Sequence, residues 1–191
     1  MLGRTVLVST AFFAILCGWF QLVRFSTTAG EQSPAPVLLP ADLVPSASQP
    51  LLLVFVHPQC SCTAATFEQL DRLLNQATQS VELVLVVYDS AAFHGRPPMD
   101  ASTPLHHHRV LVDTGGRLAR RFGAATSGEI LLYSPARRLL FQGGITPGRA
   151  HAGDSPGSLA LLAAIDSGRP TPSTFQNTVF GCPIFRLAHP G

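Results

Sequence analysis

Residues 51–88 have the sequence LLLVFVHPQCSCTAATFEQLDRLLNQATQSVELVLVVY, in which three periodic patterns follow one another. The first six residues are continuously apolar and rich in branched and aromatic side chains, which is typical of a strand buried on both faces. Between residues 63 and 78 the apolar side chains recur at spacings of three and four, as on an amphipathic helix. Residues 81–88 predict a second buried strand. The order strand, helix, strand predicts a right-handed parallel crossover.

Two cysteines, Cys60 and Cys62, stand where the first strand meets the helix. Open α/β sheets usually place their sites at this carboxyl end of a strand. Free backbone amides at a helix start stabilise a thiolate, so we expect Cys60 to be the nucleophile, more acidic and more accessible than Cys62. Cys62 can pair with Cys60 only if Cys60 precedes the first helical turn, and such a short bridge is strained. The pair predicts a thiol/disulfide oxidoreductase in which Cys62 is the resolving cysteine.

Two other roles for these cysteines are compatible with the sequence. In the first, both thiols are buried, unreactive apolar side chains, although the two cysteines lie off the apolar stripe of the helix. The other is a copper-binding or copper-delivery protein that uses Cys60, Cys62 and His57, because thiolates and imidazole are ligands of Cu(I) and zinc. His57 is otherwise a candidate proton shuttle or a structural residue beside Pro58. The histidine triplet at 106–108 is expected to be a solvated loop.

A further cysteine, Cys182, lies near the end of the chain in the apolar sequence VFGCPIF at positions 179–185. Surface tails seldom carry so many large apolar side chains, so residues 171–191 are expected to pack back on the domain. In that position Cys182 is either a resolving or third redox cysteine, or a buried unreactive thiol. An extracytoplasmic compartment would permit it to form a disulfide.

The remainder of the chain predicts a mixed α/β domain. A polar, proline-bearing insertion covers residues 89–108. The elements predicted after it are a strand at 109–112, a helix at 117–122, a hairpin with strands at 129–133 and 137–142, and a final helix that begins at Ser155-Pro156 and ends at Gly168. Together these elements predict a central sheet of four or five strands flanked by helices.

Near the N-terminus, positions 5–23 form an uncharged run of nineteen residues that would reach about 28 Å as a helix, close to the thickness of a bilayer's hydrocarbon core. A cleaved signal peptide is the rival interpretation, but residues 18–24 stay bulky up to the charge and offer no small-residue cleavage site. We therefore expect an uncleaved signal-anchor on a single-pass membrane protein, with its domain on the extracytoplasmic (periplasmic) side. Cys17, inside the run, is expected to be an apolar side chain and not a lipidation site.

Composition and charge reduce the number of partner classes that are expected. The formal net charge is +2, and from residue 25 onward the arginines are balanced by carboxylates, so nucleic acid is not expected as a partner. The expected partners are thiols or disulfides of proteins or small molecules, with the membrane contacted through the N-terminal helix, and no cofactor is expected. The predicted organisation is an anchor at 1–24, a Pro/Ser/Ala-rich linker at 25–50, a domain at 51–170 and a tail at 171–191.

Two stretches beyond the cysteine junction resemble the thioredoxin superfamily, namely VLVDTGGRLARRFGA at 110–124 and EILLYSPARRLLFQGGI at 129–145. The chain is similar to the membrane-anchored bacterial branch of that superfamily, near the thiol-disulfide interchange and alkyl-hydroperoxide-reductase-like proteins, and in particular to the group labelled RedB. The resemblance covers residues 50–168. It implies a thioredoxin-like fold with a redox-active cysteine pair.

The chain departs from the family pattern in two ways. It carries Cys-x-Cys in place of Cys-x-x-Cys, and Gly128 stands where the family has a cis-proline that contacts the disulfide and helps to hold a substrate peptide. Because of Gly128, a redox-inert binding module that keeps the fold without the chemistry is a third alternative. The resemblance also implies that the loop at 143–154 passes beside the cysteines, which makes Arg149, His151 and Asp154 candidates to orient a partner or tune the thiolate.

Overall fold

The computed structural model describes residues 2–43, 48–89, 108–171 and 177–185. Most of the predicted insertion, with His106 and His107, lies outside the described residues. The helices are α1 (Leu2–Thr27), α2 (Ser61–Gln76), α3 (Arg117–Phe122) and α4 (Pro156–Ser167), and the strands are β1 (Leu51–Val56), β2 (Glu82–Asp89), β3 (His108–Thr114), β4 (Glu129–Tyr133) and β5 (Leu139–Gly143).

The five strands form one mixed sheet in the order β3-β2-β1-β4-β5. β1, β2 and β3 are parallel, β4 runs antiparallel to β1, and β5 runs antiparallel to β4. The helices flank this sheet, so the predicted fold class is confirmed and the arrangement is compatible with a thioredoxin-like fold. Since β1 is the central strand, the chain that leaves its carboxyl end lies in the middle of one edge of the domain.

Both faces of the central strand are buried. Three side chains of β1 (Leu52, Val54 and Val56) join a core that includes Phe67 and Leu70 of α2 and Leu161 of α4. The alternate three (Leu51, Leu53 and Phe55) join a second core that includes Phe122 of α3 and Tyr133 of β4. A large apolar side chain contributes about 1.5–3 kcal/mol when it is fully buried, so this strand firmly positions the junction that follows it.

Residues 30–39 belong to the stretch predicted as a linker that leads the domain away from the membrane, but they pack against the domain. Ala35 and Leu39 are buried in the second core. Leu39 N donates a hydrogen bond to Arg137 O at 2.8 Å, and Ser33 N donates one to Gly123 O at 3.0 Å. The segment thus covers the face of the sheet opposite α2 and α4, a role that its Pro/Ser-rich composition conceals.

Beneath this segment lies a buried carboxyl group at the start of β4. The Glu129 side chain is fully buried, and its Oε1 accepts a hydrogen bond from Gln142 Nε2 at 2.8 Å. Among the described residues, its Oε2 has no hydrogen-bond partner. Burial raises the pKa of Glu129 to about 8, although hydrogen bonds with Gln142 and Gln32 act in the opposite direction. Glu129 is therefore largely protonated in the folded protein at neutral pH.

This buried carboxyl group predicts a pH-dependent stability. Because the pKa of Glu129 is about 8 in the folded chain and near 4.5 when the group is unperturbed, the folded state binds more protons between these values, and stability falls as pH rises through that range. The slope is at most about 1.4 kcal/mol per pH unit. Glu129→Gln keeps a polar side chain that does not ionise. Its thermal unfolding midpoint, measured from about pH 5 to about pH 9, should therefore fall less steeply with pH than that of the unaltered chain. Equal slopes for the two proteins would contradict the assignment.

The N-terminal helix α1 exposes large apolar side chains along its length, Phe13, Trp19 and Phe20 among them. Its segment Val6–Thr27 is long and apolar enough to cross a membrane, criteria that an N-terminal signal sequence also meets. The end of the helix contacts the loop that follows β5. Ser26 O accepts a hydrogen bond from Arg149 N at 3.0 Å, and the Arg149 guanidinium lies 5.0 Å from the centre of the Phe25 ring.

Candidate functional site

The cysteine junction meets one condition for a Cys-x-Cys bridge, since Cys60 precedes the first turn of α2. Cys60 is the N-cap residue of α2 and has an extended backbone, with φ −89° and ψ 121°. Its N–H donates a hydrogen bond to His57 O at 3.0 Å, which closes a turn between β1 and α2. Cys62 lies inside the first helical turn. Cys60 therefore stands before the helix, at the end where backbone N–H groups have no partner within the helix.

A third cysteine meets this pair. The backbone N of Cys182, in the tail, donates a hydrogen bond to the Cys60 Sγ at 3.3 Å. The thiols of Cys182 and Cys62 both lower the pKa of Cys60, so they lie near its sulfur. Cys17 is exposed on α1 and takes no part in this group. We call Cys60, Cys62 and Cys182 the three-cysteine cluster.

The three thiols of the three-cysteine cluster differ in pKa. Burial by itself raises the pKa of Cys60, but hydrogen bonds donated by Cys182 and Cys62 outweigh it and lower the pKa of this thiol. Burial and the negative charge of Cys60 raise the pKa of Cys62. Burial, followed by the hydrogen bond to Cys60, raises the pKa of Cys182 to about 12. The arrangement stabilises one thiolate, on Cys60, and keeps its two neighbours protonated as donors.

Accessibility does not distinguish the pair as expected. The exposed fractions of Cys60 and Cys62 are 5% and 4%, so both thiols are buried. The expectation that Cys60 is the more accessible is not confirmed, because the tail, which the junction sequence cannot reveal, lies against its sulfur. The difference between the two cysteines is one of acidity.

The loop after β5 contributes to the cluster through Arg149 and Ala150. The backbone of Ala150 and the positive charge of Arg149 both act to lower the pKa of Cys62, and the charge of Arg149 acts in the same direction on Cys182. The Arg149 guanidinium also donates a hydrogen bond to Gly181 O, in the tail. Arg149 thus links the end of α1, the loop and the tail.

The other two residues predicted on this loop form hydrogen bonds within the loop and with α2. His151 is exposed, and its Nδ1 contacts Arg149 O within the loop itself. Asp154 is also exposed, and it accepts a hydrogen bond from Gln69 Nε2 of α2 at 3.3 Å. The contacts of both residues shape the loop and its attachment to α2.

Two hydroxyl groups that the sequence did not single out organise the turn before Cys60. Ser127 is fully buried, and its Oγ accepts a hydrogen bond from His57 N at 2.9 Å. Thr63 Oγ1 donates to His57 O at 3.0 Å and lies 3.2 Å from Ser127 Oγ. The only signal in the sequence was the position of Ser127 directly before Gly128 and the fourth strand.

Gly128 occupies a conformation that proline cannot adopt. Its φ is +93°, and its N–H donates a hydrogen bond to Phe55 O at 2.8 Å. A Cβ atom built there would lie 2.9 Å from Thr66 Oγ1 of α2. Within the described residues every peptide bond is trans. Residue 128 is therefore a left-handed glycine that keeps its N–H bonded to β1, which is a different conformation from the cis-proline that the sequence resemblance implied at this position.

His57, the imidazole of the copper alternative, packs against the sheet. Its Nδ1 accepts a hydrogen bond from Gln59 N at 3.2 Å, and its ring centre lies 5.6 Å from that of Tyr88. Burial lowers the pKa of His57, which favours the neutral ring. In the part of the chain that the structure describes, no group of three or more His, Cys, Asp or Glu side chains is arranged to hold a metal ion.

Comparisons with known proteins support the fold. No family model matches the chain, and no curated protein matches it. Among solved structures it is similar to an uncharacterized conserved protein from Geobacillus kaustophilus, at 19% identity and a TM-score of 0.56, over 86% of this chain and 96% of that one. It is also similar to a hypothetical protein from Sinorhizobium meliloti 1021, at 23% identity and a TM-score of 0.54, over 86% and 97% of the respective chains.

The fold and the site together define a class of protein. It is an α/β protein with a mixed five-stranded sheet compatible with a thioredoxin-like fold, preceded by an apolar helix long enough to span a membrane. Cysteines gather at the carboxyl end of its central strand. The similar structures carry no named activity, so the function must be argued from the cluster itself.

Proposed function

We propose that this chain is a membrane-tethered thiol/disulfide oxidoreductase of the RedB type in which Cys60 is the nucleophile and Cys62 the resolving cysteine. The observation that carries the proposal is the hydrogen bond from Cys182 N to Cys60 Sγ at 3.3 Å, at a cysteine that caps a helix. A sulfur that accepts backbone N–H groups is stabilised as a thiolate, the form that attacks disulfides. An inert buried cysteine has no need of such donors.

The reaction follows thiol/disulfide exchange. The Cys60 thiolate attacks one sulfur of a partner disulfide, a bond forms between Cys60 and that sulfur, and the other partner sulfur leaves as a thiolate that takes up a proton. Cys62 then loses its proton and attacks Cys60, which forms the Cys60–Cys62 disulfide and releases the partner in the dithiol form. The Ala150 backbone and the Arg149 charge favour the Cys62 thiolate that this second step needs.

The contacts of the N-terminal helix support the proposal that the partner lies at the membrane surface. Phe25 and Ser26, at the end of α1, contact Arg149, which in turn acts on Cys62. If α1 stays in the membrane as an anchor, the three-cysteine cluster lies close to the point where the chain leaves the bilayer. Disulfides persist outside the cytoplasm, so we place the domain on the extracytoplasmic side. Partners would be thiols or disulfides presented near that surface.

The acidity of Cys60 can be tested by alkylation of the reduced full-length chain in detergent across pH, with each cysteine read separately by mass spectrometry. The hydrogen bonds from Cys62 and Cys182 lower the pKa of Cys60, so its alkylation should reach half its maximal rate at a lower pH than that of either neighbour. Restricted access slows each reaction at every pH, so the pH of the half-maximal rate still reports the pKa of each thiol.

The same chain unfolded in urea is the matched control. There the three cysteines should titrate together near the ordinary thiol value of about 8.5. If Cys62 or Cys182 is alkylated at the lowest pH in the folded chain, the assignment of Cys60 as the nucleophile is wrong.

A further inference from the structure

The described part of the tail, residues 177–185, lies along the loop that precedes β4. Its residues 182–184 are extended and pair antiparallel with residues 125–127. Main-chain pairing of this kind sets a register, because each hydrogen bond joins a defined pair of residues. The two bonds run from Ser127 N to Cys182 O at 2.9 Å and from Ile184 N to Ala125 O at 2.7 Å.

That register brings Cys182 to the nucleophile. With its carbonyl held by Ser127, Cys182 directs its N–H to the Cys60 Sγ at 3.3 Å, which brings the two residues into contact. The two residues are 122 positions apart in the chain. Cys60 is 5% exposed, so the tail covers the sulfur that a partner must reach.

The close approach of the tail depends on Gly181. A Cβ atom built at this residue would lie 1.9 Å from Ser127 O and 3.1 Å from Thr126 Cγ2. The first of these atoms is backbone and cannot turn away as a side chain could. Any larger residue at position 181 must therefore displace the tail, with Cys182, from the loop.

We infer that Cys182 is a third redox cysteine, which takes over the disulfide from Cys62 by exchange at Cys60 and so fastens the tail across the nucleophile. This inference rests on the proposed function, because the exchange begins from the Cys60–Cys62 disulfide that a partner creates. It adds a second oxidised form of the protein, in which Cys60 is both oxidised and covered.

The step needs no external oxidant or reductant. The Cys182 thiol loses its proton and attacks the Cys60 Sγ, the Cys60–Cys182 bond forms as the Cys60–Cys62 bond breaks, and Cys62 leaves as a thiolate that takes up the proton. Arg149 favours the thiolates of both the attacking and the leaving cysteine, since its positive charge acts on Cys182 and on Cys62. The guanidinium also holds the tail through Gly181 O.

The direction of exchange follows from strain. A disulfide between residues two apart in the chain is forced from its preferred geometry and is easier to break than a relaxed one. The Cys60–Cys182 bond has no such restriction, because the tail already lies beside Cys60 by its own main-chain pairing. The Cys60–Cys62 disulfide is therefore the form produced by reaction with the partner. The Cys60–Cys182 disulfide is the form to which it rearranges.

The test maps disulfides in the full-length chain in detergent. The chain is incubated in a buffer of reduced and oxidised glutathione, quenched with acid, alkylated and digested, and its linked peptides are identified by mass spectrometry. We expect both Cys60–Cys62 and Cys60–Cys182 in the unaltered protein, and Cys60–Cys182 alone in Cys62→Ser. Gly181→Ala should keep Cys60–Cys62 and lower the Cys60–Cys182 fraction by about tenfold, since the added methyl overpacks the tail contact.

Gly18→Ala is the matched control, because a Cβ atom there meets nothing within 4 Å, and its disulfide map should equal that of the unaltered chain. If Cys62→Ser instead accumulates glutathione on Cys60 while Cys182 stays free, the inference is overturned and the proposed function stands. If Cys60 forms neither a disulfide nor a glutathione adduct in the unaltered chain, both fail. A Cys62–Cys182 bridge in place of Cys60–Cys182 would also overturn the inference.

Discussion

Cys60→Ser should abolish disulfide exchange, with a loss of rate of at least about a thousandfold toward a labelled peptide disulfide. The serine hydroxyl stays protonated at any pH the protein tolerates, so the nucleophile is lost, and serine is a residue that helix N-cap positions favour. Cys60 is the one member of the three-cysteine cluster whose pKa is lowered, by hydrogen bonds from Cys182 and Cys62 that outweigh the effect of burial. Neither neighbour has a stabilised thiolate with which to replace it.

The fourth cysteine provides a matched control. Cys17 is exposed on α1, away from the cluster, so Cys17→Ser should exchange at the unaltered rate. A chain that keeps Cys60 but carries serine at both 62 and 182 should react with the peptide disulfide once and remain linked to it, because no cysteine of the cluster is left to resolve the bond. Exchange that persists in Cys60→Ser would show that the chemistry lies elsewhere.

Gly128→Pro should cause the largest loss of stability of any single change at the site, at least about 3 kcal/mol. Proline fixes φ near −65°, whereas Gly128 has φ +93°. Proline also removes the N–H that bonds to Phe55 O at 2.8 Å, and the ring would crowd Thr66 Oγ1. For a chain of this size the midpoint of thermal unfolding, followed by circular dichroism in detergent, should fall by on the order of 10 °C.

Two alanine variants distinguish the cost of the left-handed backbone conformation from the cost of steric crowding at the added Cβ atom. Gly115 has φ +69° with nothing within 4 Å of a built Cβ atom, so Gly115→Ala should cost only the left-handed conformation, about 1 kcal/mol. Gly128→Ala should lower the midpoint further, because its Cβ atom would also press on Thr66. If Gly128→Pro unfolds at the temperature of the unaltered chain, proline is tolerated at position 128 and the left-handed, hydrogen-bonded conformation assigned to Gly128 is wrong.

The amino-acid sequence by itself determined the elements of the sheet and the location of the junction. β1 was predicted at 51–56 and occurs there, because a strand buried on both faces must be apolar at every position. The following helix was predicted at 63–78 and is observed at Ser61–Gln76, two residues earlier at each end. An apolar stripe reports the packed face of a helix, and it cannot show a first turn made of polar residues and cysteine. These are local patterns, which neighbouring residues specify among themselves.

The tertiary structure alone decided what surrounds Cys60. Nothing near residue 60 indicates that Cys182 N lies 3.3 Å from its sulfur, because that contact depends on main-chain pairing between the tail and residues 125–127. The packing of residues 30–39 on the sheet and the burial of Glu129 beneath them are of the same kind. Periodicity describes which face of an element is buried, but not which distant segment buries it. A contact between residues 122 positions apart is specified by the register and packing of the whole domain. The lowered pKa of Cys60 is therefore a consequence of the tertiary structure.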